Sequence, residues 1–178
     1  MGTGASTGFA LHLGADESFI ALFTSLAYVL ALTQILAPFL NAHIERKKHF
    51  IVGLGSVEIL LRGSIVFIPF LFPTEHRLMA MVGLLGVSMF CGHGVSPFYG
   101  TWVANAVPEH IRARFTSRQT ILSTVTAMIS GFAIGQFIDL FRGGSEETGF
   151  LWVFTVGTIF GLLGYFNLLR APFPREEH

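Results

Sequence analysis

The chain has 178 residues, of which 52% are hydrophobic and 12% charged, and its mean hydropathy is +0.63. Soluble domains carry about 25% charged residues, so roughly half of the usual charged surface is missing. Eleven basic and eleven acidic side chains cancel, leaving no basic surface for nucleic acid, and the one cysteine, Cys91, excludes an internal disulfide or a CxxC motif.

Residues 1–18 contain no lysine, arginine or apolar run, so they hold no signal peptide and read as an extracytoplasmic tail. Five apolar runs then follow, at about 19–40, 50–72, 78–107, 120–141 and 149–169. Each meets the roughly 20-residue length needed to cross a bilayer as a helix. Barrel strands would be about 10 residues long and strictly alternating, which none of these runs is. The sequence therefore predicts an all-α membrane protein of five transmembrane helices, ending in a short tail at 171–178.

Charge sets the expected orientation. Arg46, Lys47 and Lys48 precede the second run; Arg112, Arg114 and Arg118 precede the fourth; Arg170 and Arg175 follow the fifth. The alternate loops hold only Arg77 and Arg142. This bias predicts cytoplasmic basic loops, a cytoplasmic C-terminus and an outside N-terminus, in the cell membrane.

Within the runs, Glu58 and Arg62 are four residues apart, which places them on one helix face within pairing distance. A mid-membrane charge costs about 2.5–3.5 kcal/mol on insertion scales, so both should face protein or water. They are candidates for a substrate or coupling site, or else form a structural ion pair. His93, between Gly92 and Gly94 and ahead of Pro97, lies where a weakened backbone ladder suits a cavity wall; the alternative is a packed histidine at a kink. Gln34 is a further isolated polar candidate. Gly131 with Gly135, and Gly157 with Gly161, have the GxxxG spacing of close helix packing. Cys91 and His93 would not share a metal on an unbroken helix. No metal, cofactor or enzyme motif is expected.

The stretch 96–115 contains Ser96-Pro97-Phe98-Tyr99-Gly100-Thr101-Trp102, then Val107-Pro108-Glu109-His110-Ile111-Arg112-Ala113-Arg114-Phe115. It resembles the helix 4 to helix 5 region of major facilitator superfamily transporters, where a V-P-E-x-x-R-x-R type loop leads into a small-residue-rich helix. The loop Asn41-Ala42-His43-Ile44-Glu45-Arg46-Lys47-Lys48 sits where that family places its basic helix 2 to helix 3 loop, with Ala42 about where an aspartate belongs. Asp139 with Gly143 and Gly144 resembles the outer end of helix 5. The resemblance implies helices 2 to 6 of the N-terminal half, a partial bundle lacking helix 1 and the C-terminal half.

It also implies part of a secondary transporter that moves a small solute by alternating access around a site between two halves. The two basic loops, Arg46, Lys47, Lys48, Arg112, Arg114 and Arg118, would then gate the cytoplasmic face or set topology alone. Expected partners are the lipid bilayer, the solute, and a chain supplying the missing helices. The alternative is a free-standing five-helix membrane scaffold or assembly protein without transport activity, in which Glu58 and Arg62 are structural.

Overall fold

The computed structural model of the protein describes residues 3–36, 39, 44, 47–141 and 146–170. All regular structure among them is helical. Arg46, Glu45 and Arg142 lie outside the described residues, as do Gly143, Gly144 and the tail at 171–178.

The stretch read from sequence only as a tail contains helix α1 (Thr3–His12), closed by a glycine-dependent turn. The Ala15 amide donates to the Ala10 carbonyl at 2.9 Å and the Gly14 amide to the Leu11 carbonyl at 3.0 Å. Gly14 takes φ +89°, the left-handed conformation this helix-ending motif requires. Helix α2 (Glu17–Ala31) starts three residues later, with Asp16 as its N-cap. One carboxylate oxygen of Asp16 accepts from the Phe19 amide at 2.8 Å, the other from the Ser18 hydroxyl at 2.7 Å. A stop and a start signal thus stand side by side, making a tight helical hairpin.

Helix α2 runs into a 3₁₀ segment at Leu32–Leu36. Helix α3 (Lys47–Ser64) passes through a 3₁₀ turn at Ile65–Phe67 into the short α4 (Ile68–Leu71). The cause of that turn is Pro69, which cannot donate to the Ile65 carbonyl; the Ile68 amide takes that acceptor instead. The guanidinium of Arg77 caps the end, donating to the carbonyls of Phe72 at 3.2 Å and Pro69 at 3.1 Å. Helix α5 (Arg77–Ala106) has Pro97 inside it, α6 is Glu109–Asp139 and α7 is Glu146–Leu168.

Five spans, Glu17–Ile35, Lys47–Leu71, Thr74–Ala106, Glu109–Asp139 and Glu146–Leu168, are long and apolar enough to cross a bilayer. They are compatible with a multi-pass membrane protein. One boundary differs from expectation. Helix α6 begins at Glu109, so Arg112, Arg114 and Arg118 lie on its first turns and not in a loop. After Pro108 nothing breaks the helix; alanine, arginine and glutamine all favour it.

Helix α3 is sandwiched between α5 and α7, and α2 covers the far side of α5. Two apolar cores form. At one end, Phe9 and Ala10 of α1 pack with Phe23, Ile65, Ile68, Met81, Leu85, Phe150 and Phe154. Phe9 is 1% exposed, its ring 5.2 Å from that of Phe150 and 5.7 Å from that of Phe154. At the opposite end, Ile51, Val95 and Phe98 pack with Leu54, Tyr165 and Leu168. Helix α6 stands apart, touching α7 and α1, with no buried residue.

Close packing is glycine-dependent. A Cβ at Gly55 would collide with the Tyr165 ring, one at Gly63 with Thr158, and one at Gly161 would crowd Ile59 at 3.0 Å. At Gly131 and Gly135 it would meet nothing within 4 Å, so that GxxxG lies open. We therefore expect Gly55→Leu to lower the unfolding free energy in detergent by about 2 kcal/mol or more, and Gly131→Leu to change it by no more than about 0.5 kcal/mol. The hairpin makes its own prediction. Hydrogen bonds from Ser18 and then Phe19 hold the Asp16 carboxyl below its ordinary value of 3.8. Its folded pKa is depressed, so the stabilisation is full above that ordinary value and is lost as pH falls through the folded one. Asp16→Ala should speed hydrogen exchange of the first-turn amides of α2 at neutral pH, while Asp16→Asn should leave it nearly unchanged.

Candidate functional site

The two cores leave a polar layer between them, built on α3. Glu58 lies about 16 Å along the helix from Lys47 and about 20 Å from Leu71, at 1.5 Å per residue. Its Oε1 is 3.0 Å from Nη2 of Arg62, with the side chains 13% and 21% exposed respectively. The four-residue spacing visible in the sequence thus makes an ion pair. The other carboxylate oxygen accepts from the Tyr165 hydroxyl of α7 at 3.4 Å.

Helix α5 closes the opposite side. A Cβ at Gly92 would lie 2.9–3.1 Å from the Glu58 carboxylate, so only glycine lets the two helices approach this far without displacing the acid. One turn earlier, the fully buried Ser88 donates from its hydroxyl to the Glu58 backbone carbonyl at 3.0 Å. Glu58 is therefore fixed through its own helix, its side chain and its carbonyl, by residues of three helices.

His93 points to the other flank of α5. The Gln34 side-chain amide, in the 3₁₀ segment after α2, is hydrogen-bonded to Nδ1 of His93 at 3.0 Å. Pro97 contributes here, because its missing N–H leaves the His93 carbonyl without its usual helical donor. Gln34 and His93 are thus brought together, and Glu58 with Arg62, at the same level of α5 but on two of its flanks. Cys91, the residue before Gly92 on α5, is a buried free thiol. Among the described residues no group of three or more histidine, cysteine, aspartate or glutamate side chains could hold a metal ion.

The remaining expected residues are dispersed. Lys47 and Lys48 open α3. Arg112 serves its own turn, its Nε and Nη2 donating to the Val107 carbonyl at 3.4 and 3.3 Å. Arg114 and Arg118 are exposed on α6. Tyr165, Ser88 and Gly92 complete the layer but were not singled out as partners of Glu58 from sequence. The one local signal for Tyr165 is a hydroxyl-bearing ring inside an otherwise apolar run. Compared with protein-family models, with curated proteins and with solved structures, the chain has no match.

Removing one member of a buried pair leaves the other charge uncompensated, at a cost of about 3 kcal/mol. Glu58→Ala and Arg62→Ala should each lower unfolding stability in mixed micelles by about that amount. The double variant should lose less than the sum, with a coupling of about 1 kcal/mol or more in a double-mutant cycle. Tyr165→Phe should cost no more than about 1 kcal/mol, because its hydrogen bond is long.

Proposed function

We propose that the chain is part of a secondary transporter of the major facilitator type, and that the Glu58–Arg62–Tyr165 cluster with Gln34–His93 forms the polar wall of its solute pathway. The observation that carries this reading is a paired acid and base at mid-span, held between two apolar cores rather than at a helix end. Ionisable residues deep in a membrane are costly and mark pathways more often than they mark packing. The motif resemblance of the 96–115 stretch to the helix 4 to helix 5 region of that family is in keeping with the same assignment.

In this mechanism the ion pair is the resting state of the pathway. A solute group that competes for Arg62 or Glu58 opens the pair and frees α3 to shift against α5 and α7. Gly55, Gly63 and Gly92 suit such a shift, because they present backbone and not side chains at those contacts. The cores on either side of the layer act as closures toward the two faces of the membrane.

A second reading, a membrane scaffold, draws on α6, which buries none of its residues and leaves most of its surface open to another chain. The two readings diverge at positions 58 and 62. With the gene replaced in its native host, Glu58→Gln and Arg62→Gln should each reduce uptake or export of one class of polar solute at least tenfold, with normal protein levels. The paired Glu58→Gln/Arg62→Gln variant should also fail, although it removes both charges and keeps the fold. Full flux in that paired variant would end the transport reading, and assembly partners would then be sought.

A further inference from the structure

Helix α6 is longer than a bilayer requires. At 31 residues it extends about 45 Å, against a hydrocarbon core of about 30 Å. Its charge-free part begins after Arg118, so the first turns project into the headgroup layer. Independent side chains mark the same level. The Gln119 amide donates to the Tyr99 hydroxyl of α5 at 3.2 Å, and the Tyr99 ring lies 5.6 Å from that of Trp102. Tyrosine and tryptophan concentrate where hydrocarbon meets headgroups.

At that level Arg114 and Arg118 stand one helical turn apart, about 6 Å in rise, on one face. Both are exposed, and neither has an ionic or hydrogen-bonding partner among the described residues. Arg112 differs, being engaged with the Val107 carbonyl. Below the two arginines the same face continues as Leu122, Val125, Ile129 and Phe132, all exposed. The surface is thus a pair of guanidinium forks above an apolar stripe, the charge and polarity pattern of a lipid with an anionic headgroup.

We infer that Arg114 and Arg118 form a binding site for an anionic phospholipid, its phosphodiester bridged by the two guanidinium groups and its acyl chains lying along Leu122, Val125 and Ile129. Guanidinium suits this task because its fork pairs bidentately with phosphate oxygens. The site is independent of solute transport and holds equally for a scaffold.

The test uses the full chain in nanodiscs holding equal amounts of phosphatidylglycerol and phosphatidylcholine with identical acyl chains, with retained lipid counted by native mass spectrometry. Wild type should retain phosphatidylglycerol about tenfold over its share, and R114Q/R118Q should retain the two lipids equally. R114Q and R118Q are also read singly, each expected to cut the preference about threefold, so the result does not hang on the yield of the double variant. Because retention is measured on purified protein, a role of these arginines in topology alone would leave it unchanged. Equal retention of both lipids by wild type, or an undiminished preference in R114Q/R118Q, would overturn the inference.

Discussion

Two opposite charges near the middle of one helix long and apolar enough to cross a bilayer constrain the rest of this bundle. Neither Glu58 nor Arg62 can face hydrocarbon cheaply, so α3 must be covered on the face that carries them. The pair alone is not enough, because a carboxylate has more acceptor capacity than one guanidinium nitrogen fills. Tyr165 supplies a further donor from α7, and the backbone of α5 closes in at Gly92. Helix spacing follows from that requirement. Gly55 gives room to the Tyr165 ring, Gly63 to Thr158, and Gly161 to Ile59, so these three contacts between α3 and α7 each omit a Cβ on one side.

The apolar cores on the two sides of the polar layer are unequal. At the α1 end, residues from α1, α2, α4, α5 and α7 share one core, together with Ile65 and Val66 from the 3₁₀ turn between α3 and α4. The Gly14 turn and the Asp16 cap hold α1 in place, and His12 adds a contact to Glu146 at 3.1 Å. At the opposite end three buried residues, Ile51, Val95 and Phe98, do the same work with partly buried neighbours. Helix α5 is also weakest on that side, where Pro97 interrupts its ladder one turn before Thr101, whose hydroxyl returns to the Pro97 carbonyl at 3.0 Å.

Apolar run length made the five spans legible in the sequence, and the i, i+4 spacing made the Glu58–Arg62 pair legible with them. Hydropathy failed at α6 for a definite reason. It reports where hydrocarbon begins, and a helix does not stop there if its next residues are Arg118, Ser117, Thr116 and Phe115. It also passed over α1, whose small and mixed residues show no clear stripe; that helix depends on its end signals and on docking Phe9. Tyr165 was invisible as a partner of Glu58 because the two are 107 positions apart and only the packing of α3 on α7 joins them. Gly92 was read as a weak point in a helix, and the structure also gives it a contact to Glu58.

One rule separates the polar residues that make the layer from those that do not. A hydroxyl or amide on a membrane helix can return its hydrogen bond to its own backbone, and many here do. Thr24 bonds to the Ile20 carbonyl, Thr158 to Phe154, Ser123 to Thr120 and Asn167 to Leu163. Such side chains need nothing from a neighbour, and Ser123 on the exposed α6 is one of them. A carboxylate and a guanidinium at mid-span cannot satisfy all their capacity this way, and a histidine ring does so poorly. Their bonds therefore cross between helices: Tyr165 to Glu58, Ser88 to the Glu58 carbonyl, Gln34 to His93. These cross-helix bonds fall within one level of the bundle, and any relative movement of α2, α3, α5 and α7 must break or exchange them. The chemistry that makes the layer expensive to bury is thus what would make it responsive to a competing polar group.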